Sequence, residues 1–184
     1  MPESFPTLLA GQRITAGLLT SMLPQVGRKP ADTSRTSNNV QAPDPHIQFS
    51  VVAGGVYTVS GYILYDSDAA VDIILSFQSP SGTNGRWTGY GTGTTVVSGT
   101  AGGGTQQNST STWGYTLRNE YSDITQTRTF GGLGVGQPQT VMIDATLRVG
   151  VNSGAFGLQW SQATSSAIAT TVYTDSWLSL QRIA

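Results

Sequence analysis

The side chains able to do chemistry are few in this sequence, and their spacing works against them. There is one histidine, His46, and no cysteine, against ten acidic residues in a chain of 184. A nucleophilic triad needs a base beside its nucleophile, and no G-x-S-x-G turn is present to present a serine to His46. Thiolate metal sites and disulfides are excluded by composition. The run "GLGVG" (132–136) is the nearest thing to a phosphate loop. It lacks a lysine and a following helix, so it reads as a turn. A glycosidase would need two carboxylates across a cleft, and the acids lie mostly in turns without such a pairing. The expectation is no catalytic residue, no metal, no cofactor and no enzymatic activity.

Two groups of residues remain. "DSDAAVD" puts Asp66, Asp68 and Asp72 in one turn, whose oxygens could hold a calcium ion. It lacks the glycine and closing glutamate of an EF-hand loop, and a solvated turn is the stronger reading. Trp87, Tyr90, Trp113 and Tyr115 border a glycine-rich stretch and form the second group. They are candidate displayed or interface aromatics, suited to stacking on sugars, to packing in a protein interface, or to a core.

The elements that would carry these residues are strands. In "GVYTVSGYILY" (55–65), Tyr57, Val59, Gly61, Ile63 and Tyr65 alternate with Val56, Thr58 and Ser60. In "TVMIDATLRVGV" (140–151), Val141, Ile143, Ala145, Leu147, Val149 and Val151 face one way, with Asp144, Thr146 and Arg148 opposite. Segments 71–78, 155–163 and 170–183 make three more strands. Segments 46–52, 86–91, 112–117 and 127–132 are weaker candidates. Glycine-rich turns separate them, and residues 89–114 read as a long loop. Seven to nine short strands, roughly, without intervening helix patterns predict an all-β, antiparallel sandwich of jelly-roll type.

The front of the chain differs. Ile14, Leu18 and Met22 recur at helical spacing within residues 12–23, flanked by Leu19 and Leu23, and Pro24 ends the run. The predicted helix is roughly 18 Å long, too short to be stable alone. These five apolar residues are candidate partner-anchoring positions, on this domain or on a neighbour. Residues 24–45 hold four prolines and little to bury. Extended, they would reach about 70 Å, with a short strand at "TSRTS". Arg28, Lys29 and Arg35 read there as a solvated face. The expected organisation is an anchoring arm with a short helix and extended linker over 1–45, and a β-sandwich over 46–184.

Composition narrows the partners. Charged residues are only 10% of the chain, against roughly 25% in a typical domain. With a net charge of −1 there is no electrostatic case for nucleic acid or an anionic membrane. No apolar run reaches the roughly 18 residues of a membrane span, and the front lacks the basic start of a signal peptide. A surface of Gly, Ser and Thr desolvates cheaply. That suits a subunit buried in an assembly, and equally a carbohydrate-contacting domain.

Four stretches carry a resemblance: "AGQRITAGLLTSMLP" (10–24), "KPADTSRTSN" (29–38), "LQWSQATS" (158–165) and "YTDSWLSLQRIA" (173–184). They resemble a family of small virion structural proteins of tailed phages infecting actinobacteria, especially Streptomyces, which share such opening and closing motifs. The resemblance implies a phage structural protein, a minor tail protein or a capsid decoration protein, made in the host cytoplasm and carried on the particle surface. Similar chains resemble trimeric jelly-roll domains of heads and fibres. The implied partners are further copies of the chain in a homotrimer and the major capsid protein, or tail proteins in the alternative. Residues 81–125 match nothing in the family pattern, which leaves host-glycan binding open.

Overall fold

Alternation becomes strand wherever the period-two runs are long. A computed structural model describes residues 9–94, 118–119 and 124–184. In chain order the elements are α1 (Ala16–Ser21), β1 (Gln25–Arg28), β2 (Thr33–Arg35), β3 (Ala42–Val51), β4 (Val56–Asp66), β5 (Ile73–Gln78) and β6 (Asn84–Tyr90). They continue with β7 (Arg118–Asn119), β8 (Arg128–Phe130), β9 (Gln139–Arg148), β10 (Gly154–Gln162), β11 (Thr170–Val172) and β12 (Trp177–Arg182). On β4 and β9 the residues assigned inward by the pattern are the buried ones. Val151 is the exception and is exposed, because β9 ends at Arg148 before the turn.

The pairing is that of a long hairpin wrapped on itself. β3 pairs with β10, β4 with β9, β5 with β8 and β6 with β7, all antiparallel. Wrapping that ribbon brings β10 against β5 and β9 against β6. Two sheets result, β3-β10-β5-β8 and β4-β9-β6-β7, which is the double-sheet arrangement of a jelly roll. The second sheet is widened beyond β4. β12 pairs with one part of that strand and β11 with another, while β1 adds to β12 and β2 to β11.

The core lies between the sheets and is aromatic at its centre. Phe77 stacks on Phe156 at 5.3 Å and meets Trp87 edge-on at 5.2 Å between centroids. Ile47, Ile63, Leu75, Leu147 and Trp160 complete it and are fully or almost fully buried. Rings set edge-on and offset favour their quadrupoles as well as their area.

Three expectations need correction. The segment 170–183 is two strands, not one, because Asp175 takes a φ of +69° and breaks the ladder between β11 and β12. The helix spans only Ala16–Ser21 instead of residues 12–23. Thr15 caps it, its hydroxyl accepting from Leu18 N at 3.2 Å, while Thr20 and Ser21 bond back to helix carbonyls, a competition that shortens helices. The third concerns residues 24–45, which lie along the sandwich as β1, β2 and the start of β3. Lys29, expected on a solvated face, is completely buried, since the residue after β1 is held by its N–H to Ser176 O and its ammonium pairs with Asp44.

Candidate functional site

Two features stand apart from the core. The first is the N-terminal segment. None of the helix residues is buried, and the apolar side chains stay in solvent: Ile14 is 65% exposed, Leu19 53%, Met22 42% and Leu23 65%. Leu18 is half-buried. Of the five anchoring candidates, then, four lie open. The sandwich core closes without them.

The second feature is the outer face of the larger sheet. Register across β12, β4, β9 and β6 arranges its outward side chains in rows. One row is Trp177, Tyr62, Met142 and Tyr90. Next come Ser179, Ser60, Asp144 and Thr88, then Gln181, Thr58, Thr146 and Arg86. A further row holds Val56, Arg148 and Asn84. Strands about 4.8 Å apart make each four-strand row roughly 14 Å long. The second and third rows floor a trough of about 440 Å³. A continuation of about 390 Å³ runs over the fourth. Most of the floor residues are short hydroxyl carriers, with Asp144 among them and Gln181 and Arg86 at the ends, while the next row along the strands carries the aromatic residues and Met142.

The sequence grouped Trp87 with Tyr90, and the structure separates them. Trp87 points into the core, its indole N–H donating to Gln126 O at 3.1 Å. Tyr90 is on the outer face. One strand cannot aim residues of odd spacing at the same side. Trp113 and Tyr115, the strand expected over 112–117 and most of the glycine-rich loop lie outside the described residues. Sequence reasoning missed Tyr62, Met142 and Trp177. Their signal was present, because each sits at an outward position of a strand already recognised.

The three aspartates do not converge. Asp66 Oδ2 accepts from Gly136 N at 2.6 Å, Asp68 Oδ1 from Ala70 N at 2.9 Å and Asp72 Oδ1 from Gly132 N at 2.8 Å. Each ties down a different stretch of turn backbone. Burial, the main cause, holds the Asp72 carboxyl above its ordinary value. Among the described residues no three His, Cys, Asp or Glu side chains gather as a metal site, and no helix is long and apolar enough to cross a membrane.

The motifs that carry the family resemblance meet at one corner. Asp32 Oδ1 accepts from both the N–H and hydroxyl of Thr174, at 2.7 and 2.8 Å. Arg28 Nε donates to Asp175 at 2.6 Å. The Arg35 guanidinium stacks 4.0 Å from the Trp160 ring centroid and donates to the carbonyls of Trp160, Ala42 and Pro43. This is a clamp between the opening and closing segments. Its groups are spent on each other and on backbone, which makes it structural.

Fold and surface together define an all-β jelly-roll domain with an unpacked N-terminal helix. No family model matches the chain, and no curated protein does. Among solved structures it is similar to the VP2 subviral particle of infectious bursal disease virus, at 13% identity and a TM-score of 0.20, covering 87% of this chain and 41% of that one. Structures of the Gx and Gt strains of the same virus give 10% and 14% identity, with TM-scores of 0.18 and 0.19. They cover 97% and 98% of this chain, and 45% and 47% of those. The chain thus spans less than half the length of each.

Proposed function

We propose that this protein is a non-enzymatic structural component of a phage particle, a homotrimeric decoration protein on the head, held to the major capsid protein by its N-terminal segment. The observation that supports this reading is the exposure of Ile14, Leu19, Met22 and Leu23 beside a sandwich whose core is already complete. A six-residue helix is unstable by itself in water. Its apolar side chains gain by burial, about 25 cal/mol for each Å² removed from water. A neighbouring subunit would offer that burial, which the described residues of the sandwich do not give. The low charge of the chain fits extensive contact with other subunits, and identical chains usually close into symmetric rings.

The second reading is a minor tail protein or a tail-associated adhesion module. The row Trp177, Tyr62, Met142, Tyr90 favours it, since a displayed aromatic row is suited to contact with a host surface. Immunogold electron microscopy of intact particles, with antibody to the sandwich, separates the two. Gold over the heads is expected. Gold confined to tails would replace the first reading by the second, and particles without gold would sink both.

A further inference from the structure

The trough on the larger sheet has a chemistry of its own. Its floor is built from Thr58, Ser60, Thr88, Thr146 and Ser179 around the carboxylate of Asp144, with Gln181 and Arg86 at its two ends. Each hydroxyl can donate one hydrogen bond and accept others. A surface of this kind matches a ligand whose own groups are hydroxyls, because either partner can take either role. The neighbouring row places three aromatic rings and a methionine along about 14 Å of border. Rings of Tyr and Trp present an apolar face with a polar tip, which fits the C–H face of a pyranose. The volume of about 440 Å³ falls in the range of roughly 300–1,000 Å³ typical of small-ligand sites.

We propose that this trough binds a neutral glycan strand, laid across β12, β4, β9 and β6 with its sugar faces against Tyr62 and its hydroxyls on the floor. The alternatives fit less well. A phosphate backbone would meet cations only at one end, at Arg86 and Arg148, with Asp144 in the middle of the floor and a chain of net charge −1. An amphipathic helix would cover an apolar row one side chain wide, and would strip water from two polar rows without apolar gain. The site does not depend on whether the protein sits on head or tail, and it is tested on the purified full-length chain.

The test is calorimetric titration with three neutral hexasaccharides: chitohexaose, cellohexaose and maltohexaose. Saturable binding of at least one, at micromolar to millimolar Kd, is expected. Thr146→Arg raises the floor from an exposed strand position and should weaken that binding at least about tenfold, about 1.4 kcal/mol, without lowering Tm. Tyr62→Ala should do the same. Gln48→Ala, on an exposed position of the other sheet, should leave it unchanged. Should Tyr62→Ala lose stability, Thr146→Arg decides. Failure of all three sugars to bind at millimolar concentration overturns the proposal, as does undiminished binding by Thr146→Arg.

Discussion

Lys29 Nζ lies 2.7 Å from Asp44 Oδ2, and both side chains are fully buried. The ammonium also donates to Thr33 Oγ1 at 2.8 Å and lies 3.3 Å from His46 Nδ1. Asp44 accepts from Trp160 Nε1 at 3.1 Å and from His46 N at 2.9 Å. A buried pair satisfied on both sides is costly to break singly, about 3–5 kcal/mol, because one charge is left without a partner. Lys29→Met and Asp44→Leu should each lose about that much in urea unfolding. The double variant should lose well under the sum, since no uncompensated charge remains. Losses that add to within about 0.5 kcal/mol would show that the two side chains are not coupled.

Asp72 gives a pH test with a definite sign. It takes a φ of +56°, and burial raises its carboxyl above the ordinary 3.8, against the hydrogen bond from Gly132 and with the help of Asp68. Between the ordinary and the raised value the folded chain holds more proton than the unfolded one, so stability falls as pH rises through that window and stays lower above it. Asn keeps the Oδ1 acceptor and tolerates the left-handed backbone. Asp72→Asn should therefore raise Tm at neutral pH. The group is half exposed and water screens it, so the gain stays under about 1 kcal/mol, or about 2–4 °C. Calorimetry should find the gap closing below the ordinary carboxylate value. A gap unchanged in acid would mean that charge is not its source.

Gly61 measures how tightly β12 is packed. A Cβ there would strike the Leu178 side chain and come within 2.8 Å of Trp177 O, directly across the register. Gly61→Ala should cost about 1–3 kcal/mol by overpacking. Leu178 is fully buried, so Leu178→Ala is itself costly, about 2–5 kcal/mol, but the double variant should lose less than the sum of the two, because the side-chain clash goes while the carbonyl stays. Tolerance of Ala within about 0.5 kcal/mol would show that β12 sits farther from β4.

The particular residues show what was legible in the sequence. β4 and β9 were, because a sheet with one face in the core writes its burial as alternation. The inward position of Trp87 follows from the same rule, as its neighbours Arg86 and Thr88 face out. Grouping aromatics by proximity in sequence overrode it. Lys29 was not legible. A lysine in a proline-rich polar run looks solvated, and only the pairing of β1 with β12 brings it to Asp44. The trough was legible in its parts but not as a site. Ser60, Asp144 and Thr88 become neighbours through register, which sits in the ladder and not in any one strand.

The N-terminal segment gives the test nearest to function. Leu19 and Leu23 are more than half exposed among the described residues. Replacing either by Asp should therefore leave the domain's Tm within about 1–2 °C of the parent, as surface changes usually stay within about 0.5 kcal/mol. Charge on an apolar anchor is different once a partner covers it, because a buried unpaired carboxylate costs several kcal/mol. Leu19→Asp and Leu23→Asp particles, compared with wild type by quantitative mass spectrometry, should have lost most of their copies of this protein. Tm and copy number answer separate questions, so the result is unambiguous. Normal copy number in well-folded variants would remove the N-terminal segment as the anchor, and attachment would have to run through the sandwich itself.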